Sequence, residues 1–396
     1  MQRLKKILFV HHVSVVGGAS YCLLNVIKAI NREKFIPIVL LRNDGPLVEE
    51  LKKLNVEVYF SPTLWFYPYN KSLYTIKSLV TIFSLYRSLG DFEAVVKSVS
   101  PDIVYFNNTF LFPYLKITQK LGVKSVIHIR EHWPSNQHQK QFKFIQQEIL
   151  CRADRIIAIN EYSAQMISPN LTKTTIVYDW IDFSERYEFK PFDKIFDEDV
   201  SRKKVYLYTG GIQRIKGAYE VIKTFSEKIK GDDCRLLVLG LTKNISVKGW
   251  KGIVKFILFK FGIPSYEYKV KSIIQNDSRI VCIPSTYYIR HIFEQAYCML
   301  SYFTIPHANL ALAEAICLQL PCIAAETEES QEYTLNGDLA FLFQVNDLKE
   351  FEHKIQELDN NYLQIKTRLK KSSGIIVEKF GKERNSELLR SVLDEL

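Results

Sequence analysis

The chain has 396 residues, 47% of them hydrophobic, and a formal net charge of +10. That length exceeds one ordinary core and that composition excludes a disordered chain, so two domains are expected. The charge suits a phosphate-bearing ligand, an anionic membrane surface or nucleic acid, and no apolar run approaches the ~18 residues of a membrane span.

The N-terminus, "MQRLKKILFVHHVSVVGGA", has basic, apolar and small residues in the order of a leader peptide. His11 and His12 interrupt its apolar run, so it reads as a first strand. Strand-like runs follow at "IPIVLL", "VEVYF", "DIVYFN", "KSVIHIR" and "RIIAIN". Helix-like runs alternate with them: "SYCLLNVIKAI", "PLVEELKKL", "LFPYLKITQKL" and "QKQFKFIQQEILCRA". Strands this continuous in apolar residues predict a parallel sheet covered on both faces. From Ile181 to Arg202 the pattern lapses into a charged stretch, read as an interdomain connection. It restarts with "VYLYTGG", "RLLVLG", "RIVCIPS", "SYFTIP", "PCIAAE" and "LAFLF", with helical stretches between them and a last one from Asp347. The expectation is α/β: two doubly wound domains in tandem, with ligands at the carboxyl ends of the strands and a cleft between the domains as the site. The seven cysteines form no C-x-x-C pair and read as small buried hydrophobes of a reducing compartment, not disulfides or zinc ligands.

Four strand-to-helix turns carry candidate chemistry. In "VSVVGGAS", Gly17 and Gly18 let a backbone approach a ligand and expose helix-terminal amides that suit phosphate; an ordinary tight turn reads the same way. In "TGGIQRIKGAYEVI", Gly210 and Gly211 end a buried strand, Arg214 and Lys216 follow, and Gly217 opens a helix. Two cations beside such a turn make a diphosphate cradle. It is not a P-loop, because no Ser or Thr follows the Lys. In "IPHANLALAEAICLQLPCIAA", the run Leu310 to Leu320 reads as a helix apolar on nearly every face, with Glu314 inside it. Such a helix is buried, and a buried Glu needs a partner: an internal Lys or Arg, or a ribose diol accepted by its two oxygens. His307 stands at the start of this helix and Asn309 is its expected N-cap. In "VIHIREHW", His128, Arg130 and Glu131 end a strand as candidate sugar or acceptor contacts. With His132 they match no metal-ligand pattern, so no metal is expected.

Taken together and in order, these motifs resemble those of the retaining, nucleotide-sugar-dependent glycosyltransferases of the GT-B fold, in the group called family four. The resemblance spans essentially the whole chain. It rests on "GGA" at 17–19, "PDIVYFNN" at 101–108, "IVYDWID" at 176–182, "GGIQRIKG" at 210–217 and "LAEAICLQLPCIAAETEESQEYTLNG" at 312–337. It implies an N-terminal acceptor-side Rossmann-like domain over 1–183 and a nucleotide-sugar-binding one over 184–378, with a helix at 379–396 returning to the first domain. By the resemblance, Glu314 matches the second Glu of the family's E-x7-E motif, a ribose clamp. Lys216 matches the Lys that neutralises the donor diphosphate. Gly17 and Gly18 match the loop that closes over diphosphate and sugar, and the backbone of Leu310 and Ala311 falls where the distal phosphate binds. There are two departures. The first Glu of the pair is Pro306 here, and the family's Arg before the Lys is Gly211. His307 and Arg214 are the candidates for the missing contacts.

The implied reaction moves a hexose-type sugar from a nucleoside diphosphate to an acceptor hydroxyl with retained configuration, in assembly of a cell-surface glycan such as O-antigen, capsule or another lipid-linked oligosaccharide. The nucleotide sugar is a co-substrate; no cofactor is expected. Lys216, Arg214 and helix-terminal amides would stabilise the leaving diphosphate. No carboxylate pair is placed as in a glycosidase, so no general base is assigned. Two basic-aromatic segments, 63–89 and 243–264, read either as core helices under a solvated Lys face or as helices that lie on anionic membranes. The second reading places the enzyme in the cytoplasm, peripheral on the inner face of the plasma membrane. An epimerase of the same build and a non-catalytic nucleotide-sugar binder are the alternatives. Nucleic acid is not an expected partner, because the basic residues are spread out and no recognised module appears.

Overall fold

The structure, a computed structural model, describes residues 3–15, 17–67, 76–132, 138–182, 190–241, 265–284 and 289–396. The chain divides into two compact units, Met1–Ile181 with Phe380–Leu396, and Asp182–Lys379.

The first unit is built on seven parallel strands: β1 (Lys5–His11), β2 (Phe35–Leu41), β3 (Glu57–Phe60), β4 (Ile103–Phe106), β5 (Lys124–Ile129), β6 (Arg155–Ala158) and β7 (Thr174–Ile176). Their spatial order is β3-β2-β1-β4-β5-β6-β7. Alternate residues of one strand feed opposite faces. Leu8, Val10, Val104 and Phe106 enter one apolar cluster, while Ile7, Phe9, Ile103 and Tyr105 enter the other. This is why β4 and the central run Ile7–Val10 of β1 are apolar: both faces are covered by helices. The strand order reverses between β1 and β4, which opens a crevice at their carboxyl ends.

The second unit repeats the plan with β8 (Lys204–Tyr208), β9 (Cys234–Leu239), β10 (Ile280–Ile283), β11 (Cys298–Ser301), β12 (Cys322–Glu326) and β13 (Phe341–Gln344), in the order β10-β9-β8-β11-β12-β13. Here the reversal falls between β8 and β11. The glycine turn after β8 and the "IPHAN" segment after β11 therefore flank the same crevice.

The last helix, Lys382–Asp394, belongs to the first unit. It buries Leu389, Val392 and Leu393 in the cluster that holds Ile27 and Phe9, and Arg390 Nε donates to the carbonyl of Ala29 at 2.7 Å. Where the chain leaves and re-enters this unit, Ile181 N–H donates to Phe380 O at 2.9 Å.

Three elements differ from the sequence reading. The strand expected at "SYFTIP" is β11, one step upstream; from Tyr302 the chain peels away, and Thr304 N–H donates to Ile215 O at 2.9 Å. The helix expected over 310–320 ends at Cys317. Gln319 takes a positive φ of 58°, and Pro321 holds the residue before it extended. The helix expected over 111–121 starts as a 3-10 turn, Thr109–Tyr114, because Pro113 has no N–H to donate. The segment 243–264 lies outside the described residues. Of 63–89, residues from Ile76 onward form the helix Ile76–Val99. Among the described residues no helix is long and apolar enough to cross a membrane.

Candidate functional site

In the second unit the site is built by two turns clamped together. Gly210 is required because the chain doubles back. A Cβ there would lie 2.1 Å from Tyr208 Oη and 2.9 Å from Lys216 Cβ. Tyr208 Oη donates to Lys216 O at 3.0 Å, which fixes the Lys at the end of β8. Gly217 has φ +69°, and a Cβ would stand 2.3 Å from Tyr302 O, so this turn lies against the chain leaving β11. Asn309 caps the helix Leu310–Cys317 as expected. Its Oδ1 accepts from Leu312 N–H at 3.3 Å and its Nδ2 donates to Ser301 Oγ at 2.8 Å. The Asn309 side chain is thus committed to the fold. The N–H groups of Leu310 and Ala311 have no acceptor among the described residues, as the first turn of a helix requires.

Among the described residues no ion pair joins Lys216, Glu314 or Arg214 to a protein partner. Lys216 is half-buried, and its Nζ lies 5.8 Å from the centre of the Phe303 ring, which is 5.5 Å from the His307 ring. No carboxylate pairs with it among the described residues, and burial lowers its pKa. Burial, and then the Lys216 charge, push His307 down to about 4; its imidazole is neutral at pH 7. Glu314 is surrounded on nearly all sides yet keeps part of its surface in contact with solvent. Desolvation pushes its carboxyl up to about 7, and no hydrogen bond or ion pair reaches it among the described residues. Arg214 sits exposed on the turn that carries Lys216.

In the first unit, Gly17 and Gly18 open the helix Gly18–Ala29. Both have open space where a Cβ would go, and Gly17 is extended with φ −156°, so neither glycine is demanded by the fold. Beneath them lies a buried polar network. Asn107 Nδ2 reaches His11 Nδ1 at 3.1 Å and donates to Ala19 O at 3.3 Å. Arg130 Nε donates to Asn107 Oδ1 at 3.2 Å, and its Nη1 donates to both oxygens of Asp179 at 2.8 and 2.7 Å. Tyr105 Oη and His128 Nδ1 are 2.7 Å apart. Burial drives His11 down to about 3 and His128 well below its ordinary value, so both rings are neutral. Arg130 and the Nδ1 of His128 are thereby engaged within the unit, while His128 Nε2 is buried with no partner among the described residues. A guanidinium only 8% exposed cannot stay charged without a partner such as Asp179. Of the three candidates at this strand end, His128 and Arg130 are buried and Glu131 is partly exposed. One oxygen accepts from Thr109 N–H at 2.8 Å, and desolvation pushes its carboxyl up to about 7. The parts of this network missed by the sequence reading are His11, Tyr105, Asn107 and Asp179. Asn107 and Asp179 lie inside "PDIVYFNN" and "IVYDWID", but nothing in those stretches says that one Arg joins them.

Residues 17–169 match the family described as glycosyl transferase 4-like domain. The whole structure superposes on solved glycosyltransferases. Anabaena HepE in complex with UDP-glucose gives a TM-score of 0.74 at 16% identity, over 99% of this chain and 100% of that one. The fold is GT-B. A glycosyltransferase of Rickettsia africae gives 0.67 at 16% identity, over 99% of each chain. The lipopolysaccharide outer core galactosyltransferase WaaB gives 0.61 at 15% identity, over 98% of this chain and 99% of that one. No curated protein matches the sequence significantly.

Proposed function

We propose that the protein is a retaining glycosyltransferase that moves a hexose-type sugar from a nucleoside-diphosphate donor to an acceptor hydroxyl. The observation that carries this reading is Lys216. It is a half-buried ammonium without a carboxylate among the described residues, on a glycine turn held against the segment that leads to a helix N-terminus. Such a cation lacks a counter-charge that a diphosphate supplies. Lys216, Arg214 and the N–H groups of Leu310 and Ala311 would take up the charge that develops as the diphosphate leaves. Glu314, with no protein partner, would accept both hydroxyls of the ribose. Ionising it in place costs energy, and two hydroxyl donors offset that cost. His307 is neutral and follows Pro306, which stands at the position of the family's first Glu, so it would serve as a hydrogen-bonding contact to the sugar. Gly17 and Gly18 leave room for the donor's phosphates. Glu131 would meet the sugar or the acceptor. No protein side chain needs to protonate a diphosphate leaving group, so no general acid is assigned. HepE was solved with UDP-glucose, which supports a nucleotide sugar as the donor class.

For the acceptor we propose a lipid-linked intermediate of a cell-surface glycan, reached from the cytoplasmic side of a membrane; the likeness to WaaB supports that setting. The test of the donor site is Lys216→Ala. Losing a charge-assisted contact to phosphate costs ~1.5–3 kcal/mol, roughly a 10- to 150-fold loss in kcat/KM for the donor. Turnover within about threefold of wild type, less than ~0.7 kcal/mol, would sink the cradle assignment.

A further inference from the structure

We propose that the outward face of the first half of the helix Ile76–Val99 is the surface by which the first unit rests on an anionic lipid bilayer; this deepens the lipid-linked acceptor reading above and rests on it. A helix of a covered sheet shows one apolar stripe, turned inward. This helix has two. Leu85, Phe92, Val96 and Val99 enter the core. Ile76, Leu79, Val80, Phe83 and Tyr86 stand on the other side, at helical spacing, each more than half exposed, with Ile76 at 83% and Phe83 at 72%. Five large apolar residues on one exposed face form a patch, whereas scattered single ones need no explanation.

Charge identifies the occupant. From Val58 to Gly90 the sequence holds Lys71, Lys77 and Arg87 and no Asp or Glu. Arg87 is exposed, two turns from Leu79 and Val80, and has no carboxylate partner among the described residues. Asp91 is the first acid met, and Glu93 beyond it is paired with Lys97 and Lys120. A second copy seated on this face would set Arg87 against its own image, with Asp91, one turn on, as the nearest acid. A bilayer rich in anionic lipid accepts both the apolar stripe and the cations. The placement fits delivery of a lipid-borne acceptor. The helix runs antiparallel to the strands that it connects, so its first half lies toward their carboxyl ends, where Glu131 stands. Ser88 Oγ and Tyr114 Oη, 2.6 Å apart, fix the middle of the helix to the turn that follows β4, and Tyr114 Oη donates to Trp65 O at 3.0 Å.

The test is flotation of the full chain with vesicles of phosphatidylglycerol and phosphatidylcholine in equal parts, and of phosphatidylcholine alone, without nucleotide sugar. The wild type should float with the anionic vesicles and be released by salt. Leu79→Ser with Phe83→Ser should lower the partition coefficient roughly tenfold or more, and Arg87→Ala about fivefold. Circular dichroism melts should coincide with wild type, since these side chains are exposed. Equal flotation of wild type and the double variant would overturn the proposal, as would flotation indifferent to lipid charge. A dimer in sedimentation velocity that the double variant dissociates would assign the face to a second copy instead. Flotation without sugar transfer would refute the glycosyltransferase reading and leave this face standing; transfer to a soluble acceptor without flotation would do the reverse.

Discussion

Replacing Glu314 by Gln should stabilise the unliganded protein at alkaline pH and weaken its grip on the donor. The carboxyl is pushed from its ordinary 4.5 up to about 7 by desolvation, with no protein charge to offset it. The folded state therefore keeps a proton that the unfolded chain gives up between these two values. Stability falls as pH rises through that window, and the full penalty is present above about 7. At 1.36 kcal/mol for each tenfold in proton affinity, the ceiling is about 3 kcal/mol at pH 8 and under about 1 kcal/mol at pH 5. Contact with solvent roughly halves both figures. Glu314→Gln removes the ionisation, so differential scanning calorimetry should show a rise of roughly 3–6 °C at about pH 8 in the transition of the second unit, shrinking toward zero at about pH 5. Titration calorimetry with the nucleoside diphosphate should show roughly a 10-fold or greater loss of affinity, since a charge-assisted pair of acceptors becomes a single neutral one. A drop in Tm at pH 8 would refute the reasoning, because it would mean that the ionised carboxylate has a stabilising partner inside the protein.

Other consequences are independent of this one. Asp179→Ala leaves the Arg130 charge buried and unpaired, and should cost ~3–5 kcal/mol in denaturant unfolding, much of which Arg130→Met with Asp179→Leu should restore. Gly17→Ala meets open space in an extended backbone, so it should change stability by less than about 0.5 kcal/mol while raising the donor KM; an unchanged KM would remove Gly17 from the donor site. His307 is held neutral by burial and Lys216, so kcat/KM should not titrate through it near its ordinary value. The pH profile of His307→Gln should run parallel to wild type between about 5.5 and 8, and a profile flattened by the substitution would contradict the assignment.

The alternation of apolar strands with amphipathic helices was enough to read two doubly wound sheets, because a strand must be apolar wherever both its faces are covered, as Ile7–Val10 of β1 and all of β4 are. The glycine turn with Lys216 and the cap at Asn309 were legible too, since both depend on local chemistry. What the sequence hid was long-range. Nothing local says that Tyr302 backs onto Gly217, or that Arg130 closes on Asp179 and Asn107. Arg130 and His128 read as ligand contacts because polar residues at a strand end are equally suited to a substrate and to each other; that Arg130 meets Asp179 and His128 meets Tyr105 is visible only in the fold. Glu314 is the opposite case. An internal cation would have been the ordinary answer to a carboxylate in an apolar helix, and the described structure supplies none. The basic-aromatic stretch 63–89 read as a core helix or a membrane helix; the helix from Ile76 onward buries Leu85, Phe92, Val96 and Val99 and leaves Ile76, Leu79, Val80, Phe83 and Tyr86 exposed.

The most direct test of the account is product mass. The protein would be incubated with a panel of nucleotide sugars and a bacterial membrane-lipid extract, with released nucleotide and lipid products followed together. The account predicts one donor for which a nucleoside diphosphate appears in step with a lipid product heavier by one sugar residue. Interconversion of the nucleotide sugar without any acceptor, or tight donor binding with no turnover across the whole panel, would contradict it.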